Sequence, residues 1–139
     1  MAEAHWRSLI FPIPVPITVR KGWSVGRMAR FTGRDGSPLL TAAGLWDEWK
    51  DRQTGERLKS CTMIITEPND FAAEVHDRMP VFLKEEQFAS WLSGEAGAGI
   101  LKPAPNDYLQ RWPVSKRVNS SKADPDDPAL IDRVDLAVA

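Results

Sequence analysis

The sequence predicts an α+β domain rich in strands, an antiparallel meander with short helices packed on it. Three observations carry that reading. Between Arg27 and Thr66, segments rich in aliphatic, aromatic and β-branched residues alternate with the turn signals "RDGS" and "RQTGER". Two later stretches, "EPNDFAAEV" and "KEEQFASWLS", have the capping residues and apolar spacing of short helices. Helices and strands do not follow each other in a βαβ rhythm. The 139 residues make one domain, and a domain near that size buries roughly 70% of its unfolded surface.

Taken in order, the first 26 residues are read as an extended arm unlike the rest. "FPIPVPI" alternates proline with aliphatic residues, which suits a polyproline-like segment and not a central strand. "ARFT", "PLLTAAGLWDEWK" and "LKSCTMIIT" are then predicted as a three-stranded meander, with Gly55 able to take positive φ in the second turn. Asn69 or Asp70 caps a short helix that delivers His76 at its end, and "VFL" resumes as a strand. In the second helix Phe88, Trp91 and Leu92 stand at i, i+3 and i+4, so that face is expected to dock on the sheet. "GEAGAGIL" is read as a flexible link and "WPVSKRVNSS" as a last strand with polar residues at its mouth. The Pro- and Asp-rich tail is expected to wrap irregularly and to end loosely over 135–139. No internal repeat is visible.

Composition excludes several classes. Hydrophobic residues make up 42% and charged residues 27%, a globular mix, and no apolar run reaches the ~18 residues that span a bilayer. The start lacks the features of a secretory signal and the single cysteine forbids an internal disulfide, so a cytoplasmic protein with no membrane partner is expected. The net charge of −1 hides two basic stretches. Met1 to Arg34 holds six Arg or Lys against Glu3, and Lys102 to Lys122 holds Lys102, Arg111, Lys116, Arg117 and Lys122 against Asp107. These are ordinary solvated faces unless they share one surface, in which case they form a phosphate track.

The stretch "VHDRMPVFL" concentrates the chemistry. His76 at a helix end, beside Asp77 and Arg78, is either a general acid/base, its ordinary pKa lying near neutrality at about 6.5, or a side chain that satisfies a terminal carbonyl. Arg78 either clamps a phosphate or pairs with Asp77 or Glu74. Cys61 on a strand reads as inert core filling. There is no Gly-rich phosphate loop, and His5 is too isolated for a zinc site, so neither a cofactor nor a metal is expected.

"FTGRDGSPLLTAAGLWDEW", "SCTMIITEPND", "VHDRMPVFL" and "WPVSKRVNSS", in this order and spacing, resemble the C-terminal half of the SOS-response-associated peptidase (SRAP) family, the abasic-site processing proteins. The resemblance covers roughly residues 27–134 and implies the SRAP fold with its N-terminal half missing. In that family an N-terminal cysteine, exposed by loss of the initiator methionine, condenses with the aldehyde of an abasic site in single-stranded DNA. The product is a thiazolidine crosslink. The family also removes its own N-terminal residues and has lyase-like activity. The resemblance implies that His76 is the catalytic proton-transfer residue and that Thr66 and Arg78 face the DNA backbone near the lesion. Lys116 and Arg117 in the last block are expected on the same DNA-binding surface.

The departures shape a further expectation. The chain begins Met-Ala, and Cys61 has its nitrogen in a peptide bond, so neither position presents an aminothiol. The family's N-terminal Asn and Arg block and its glutamate block find no match; Asp47 and Glu48 of "LWDEW" fall in the family's later "GLW" strand and take no catalytic role. The expectation is an amino-terminally truncated member, through a frameshift or a misassigned start. The alternative is a non-catalytic remnant or a weak single-stranded-DNA-binding module. Either leaves sheet surface uncovered and open to self-association.

Overall fold

The computed structural model describes residues 6–14, 17–21, 27–37 and 39–135. Along them run β1 (Arg7–Pro14), β2 (Ile17–Lys21), β3 (Arg27–Gly33), β4 (Leu39–Lys50), β5 (Arg57–Met63), β6 (Ile65–Thr66), α1 (Asp70–Ala73), β7 (Met79–Pro80), α2 (Phe88–Leu92) and β8 (Leu109–Val114). One antiparallel sheet has the order β1-β4-β5, a second β2-β3-β8, and β6 and β7 form a two-stranded ribbon. The α+β class with short helices on antiparallel sheets is as expected. The strand partners are not, since the chain changes sheet at the turn after β3, and β4 pairs with β1 and β5.

Opposed residues of antiparallel strands share a face, and successive residues alternate between faces. The register Ile13↔Leu40 and Phe11↔Ala42 therefore puts Ile13, Leu40 and Ala42 on one face of the first sheet, and Ile10, Ala43 and Leu45 on the other. The first of these faces turns toward the second sheet. Leu40 packs there with Phe31 of β3, Leu109 of β8, Ala72 and Val75 around α1, and Met79 and Phe82. On the opposite face Ala43, Val81, Leu83 and Trp91 form a second cluster under α2, and the Trp91 indole donates to the Leu9 carbonyl at 2.9 Å. Both clusters grip the same half of β4. Its other half, with β5, projects beyond them as a hairpin.

That hairpin closes through Asp51. The Asp51 carboxylate accepts from the amides of Gln53 at 2.7 Å and Thr54 at 3.4 Å, and Gly55 takes the expected positive φ of 76°. The Gln53 amide is the main cause that holds the Asp51 carboxyl below its ordinary pKa, with the Thr54 backbone and hydroxyl adding to it.

The segment read as an extended arm is, where described, two edge strands. β1 pairs with β4 from Arg7↔Trp46 to Pro14↔Leu39, and β2 pairs with β3. Pro12 and Pro14 fall on alternate residues, so the positions without an amide hydrogen share one side, which an edge strand tolerates. The sequence reading was right to refuse a central strand. It missed the pairing, because alternating prolines suit polyproline and edge-strand backbone alike.

Other elements are refined. "VFL" contributes single bridges instead of a full strand: Ala43 N–H donates to Val81 O at 2.8 Å and Leu83 N–H to Thr41 O at 2.8 Å. In α2 Trp91 is buried, but Leu92 is 49% exposed, because the helix lasts little more than one turn and only one line of residues meets the sheet. The link "GEAGAGIL" contains a 3₁₀ turn at Ala98–Ile100, and Ile100 packs on the second cluster. The tail is anchored through buried Leu130 and through Ile131, whose carbonyl accepts from Arg30 at 3.1 Å and from the Trp112 indole at 3.3 Å. Residues 136–139 of the expected loose end lie outside the described residues.

Candidate functional site

Asn69 sets the site's frame. Buried at the start of α1, its side-chain oxygen accepts from the Ala72 amide at 2.8 Å while its side-chain nitrogen donates to the carbonyls of Ala104 at 2.8 Å and Pro105 at 3.1 Å. One residue thus caps the helix and ties it to the loop before β8. Arg111 of β8 grips the helix from the other side. Its guanidinium donates to Phe71 O at 2.6 Å, pairs with Glu74, and lies 4.4 Å from the centroid of the Phe71 ring.

Past the helix, Val75 and Met79 are both buried, and the three residues between them, His76, Asp77 and Arg78, are exposed. The polar triplet is therefore a short loop held between two core anchors. Pro80 follows in β7, opposite Ile65, and Thr66 of β6 is opposite Met79. The His76 amide donates back to Ala72 O at 2.9 Å, which closes the helix end with the backbone alone. The imidazole is left for other work.

His76 Nδ1 has partners for either protonation state. The Arg78 amide lies 3.2 Å away and donates to it when it is bare; the Arg78 carbonyl and an Asp77 carboxylate oxygen, each at 3.1 Å, accept from it when it carries a proton. Arg78 Nε lies 3.6 Å from the same Asp77 oxygen, and Glu74 is taken by Arg111, so Asp77 is the carboxylate beside Arg78.

His76 and Arg78 line a cavity of about 350 Å³ whose other walls include Phe31, Met63, Met79, Phe82 and Leu109. Two polar side chains on a largely apolar pocket match the usual build of a small-molecule or nucleotide site. Lys116 and Arg117 stand elsewhere. They belong to a 3₁₀ turn beyond Val114, roughly 17 Å of strand from Leu109 at the cavity, and Arg117 pairs with Asp127 at 2.8 Å. Cys61 is exposed on β5 instead of filling core, because the outer half of that hairpin has no covering layer among the described residues.

Of the two caps the sequence offered, Asn69 or Asp70, the structure uses Asn69, and it brings His76 and Arg78 to one cavity; Arg111, counted only as part of a basic stretch, was missed. The cavity walls were equally hidden, since Phe31 and Leu109 arrive from a different sheet. Among the described residues no group of three or more His, Cys, Asp or Glu is placed to hold a metal ion, and no helix is long and apolar enough to cross a membrane.

Fold and site together define a β-rich α+β domain that presents an imidazole and a guanidinium on the wall of a largely apolar cavity. The chain belongs to the SOS response associated peptidase (SRAP) family, which it matches over residues 21–121. It is similar to the abasic site processing protein YoaM of Bacillus subtilis, 38% identical over 91 residues that make up 62% of this chain and 40% of that one. It is likewise similar to the abasic site processing protein HMCES of Xenopus tropicalis, 36% identical over 97 residues, 66% of this chain and 28% of that one. The crystal structure of a Bacteroides thetaiotaomicron protein shares the fold with a TM-score of 0.72 at 23% identity, over 92% of this chain and 57% of that chain. The matched part of the chain thus covers about two fifths of the length of the Bacillus relative.

Proposed function

We propose that this chain takes part in abasic-site processing by holding single-stranded DNA at the His76 cavity and moving the proton that opens the abasic sugar. The observation that carries the reading is the pair of alternative partners on His76 Nδ1. An abasic deoxyribose is mostly a closed hemiacetal. Opening it breaks the bond between C1′ and the ring oxygen, delivers a proton to that oxygen and removes one from the C1′ hydroxyl. An imidazole serves both transfers near neutral pH.

Arg78 and Thr66 flank the lesion and contact its backbone, and Lys116 and Arg117 take phosphates farther along the strand. Covalent capture is the family's next step: an N-terminal amine condenses with the aldehyde, losing water, and the neighbouring thiol adds to close the thiazolidine. Cys61 lies inside β5 with its nitrogen in an amide, so it does not close that ring. The place of this cysteine in the middle of a strand, with no free amine beside its thiol, favours a second reading, a DNA-binding module without covalent chemistry. The outer edge of β5, with Trp49 and Leu58 exposed beside it, is proposed to drive self-association of the purified chain, which light scattering would read as particles larger than one chain.

The test uses the 139-residue protein and an abasic single-stranded oligonucleotide. A complex that weakens steeply with salt and leaves no crosslink on a denaturing gel is the expected result. A denaturation-stable crosslink lost in Cys61→Ser would overturn the assigned chemistry, and binding indifferent to salt would remove the DNA reading.

A further inference from the structure

The projecting half of the first sheet carries a second feature that the cavity does not use. On the face that turns toward the second sheet lower down, register places Trp46 across from Arg7 on one side and Cys61 on the other, Glu48 across from Lys59, and Lys50 across from Arg57. Four cations and one carboxylate therefore share one open sheet face. Arg7 and Lys59 both lean on the Trp46 ring, with the guanidinium 4.8 Å and the ammonium 5.7 Å from its centroid. Arg57 pairs with Glu48, and Lys59 Nζ lies 3.9 Å from the same carboxylate.

Long basic side chains normally lose rotamer freedom when they meet a ligand. Here an aromatic ring already holds Arg7 and Lys59 over the sheet, which lowers that cost. The same face of β5 leads inward, through Cys61, to Met63, which lines the His76 cavity. From Arg57 to Met63 the strand covers about 20 Å.

From this we infer that the free face of the β4–β5 hairpin is a phosphate-binding path that guides single-stranded DNA into the cavity, with Arg7, Lys50, Arg57 and Lys59 as the phosphate contacts. The inference rests on the proposed function, and it assigns the strand a route separate from Lys116 and Arg117. An acidic polypeptide fits the charge of the face but has no reason to end at a cavity carrying Arg78 and a proton-transfer group.

The experiment is fluorescence anisotropy of a labelled single-stranded oligonucleotide that carries no abasic site, titrated with the 139-residue protein at several salt concentrations. Arg57 and Lys59 have side chains 70% and 69% exposed, so Arg57→Glu with Lys59→Glu leaves the fold intact. That double variant is expected to weaken binding about tenfold or more. Arg57→Gln with Lys59→Gln should flatten the dependence of log K on log salt by about 1.4, two contacts at about 0.7 each for a single strand. If the hairpin variants bind as wild type does while Lys116→Glu with Arg117→Glu binds weakly, the path is wrong and the proposed function stands. Absence of salt-dependent binding by the wild type overturns both, and polyglutamate that competes as well as DNA reassigns the face to an acidic protein.

Discussion

β4 and β5 belong to one continuous hairpin, yet its two ends live in different environments. From Leu40 to Ala43, β4 is held between two clusters, with Leu40 at 2% exposure and Ala42 and Ala43 at none. From Trp46 outward the same strand carries charge and aromatic surface, Trp49 is 57% exposed and Leu58 opposite it 63%. The gripped end is built into both core clusters, and the outer end stands clear of them among the described residues. The cavity sits where one becomes the other, with Met63 reaching it from β5.

The largest contrast should come from paired truncations. Leu83→Ala, at a fully buried position under α2, is expected to cost about 2–5 kcal/mol, whereas Leu58→Ala at the free end should stay within about 0.5 kcal/mol; urea unfolding of the two variants checks this. Equal losses would erase the distinction between the ends. At the boundary, Gly44→Val should cost about 1–3 kcal/mol, because a Cβ there would sit 2.1 Å from the Phe11 ring and 2.9 Å from the Thr62 carbonyl. The Phe11 ring lies over that glycine.

Asn69→Ala is expected to remove about 1–2 kcal/mol through the lost cap, and to loosen the loop that carries His76, since the same side chain ties α1 to Ala104 and Pro105. Hydrogen exchange at the His76 and Arg78 amides reads that second effect. Glu48→Gln at the free end is likewise expected to have a small effect on stability. An exposed pair with Arg57 contributes about 1 kcal/mol at most, so the unfolding midpoint should barely move, while DNA affinity rises as a carboxylate leaves the path.

Much of this was legible in the sequence, and the failures have physical causes. The cap at Asn69 was readable because capping acts locally; His76, expected at the helix end, lies in the loop after it, since the helix stops at Ala73. Gly55 announced its turn because it too acts locally. Strand partnership was not legible: β3 and β4 are neighbours in sequence but lie in different sheets, and nothing local distinguishes that from a meander. Cys61 and Leu92 were misplaced because residue type reports average burial, not whether a covering layer exists at that end of the strand or helix. Arg111 lies thirty-five residues after His76 in sequence and acts on its helix only through tertiary contact.

His76 is proposed to move the proton that opens the abasic sugar. The most direct measurement joins a family N-terminal half beginning Met-Cys ahead of Arg27 and follows crosslink formation with an abasic oligonucleotide, for the parent chimera, His76→Ala and Cys61→Ser. His76→Ala is expected to slow the crosslink by about 10²-fold, the low end of what a positioned acid/base group contributes, with Cys61→Ser unchanged. A His76→Ala chimera that crosslinks at the parent rate would contradict it.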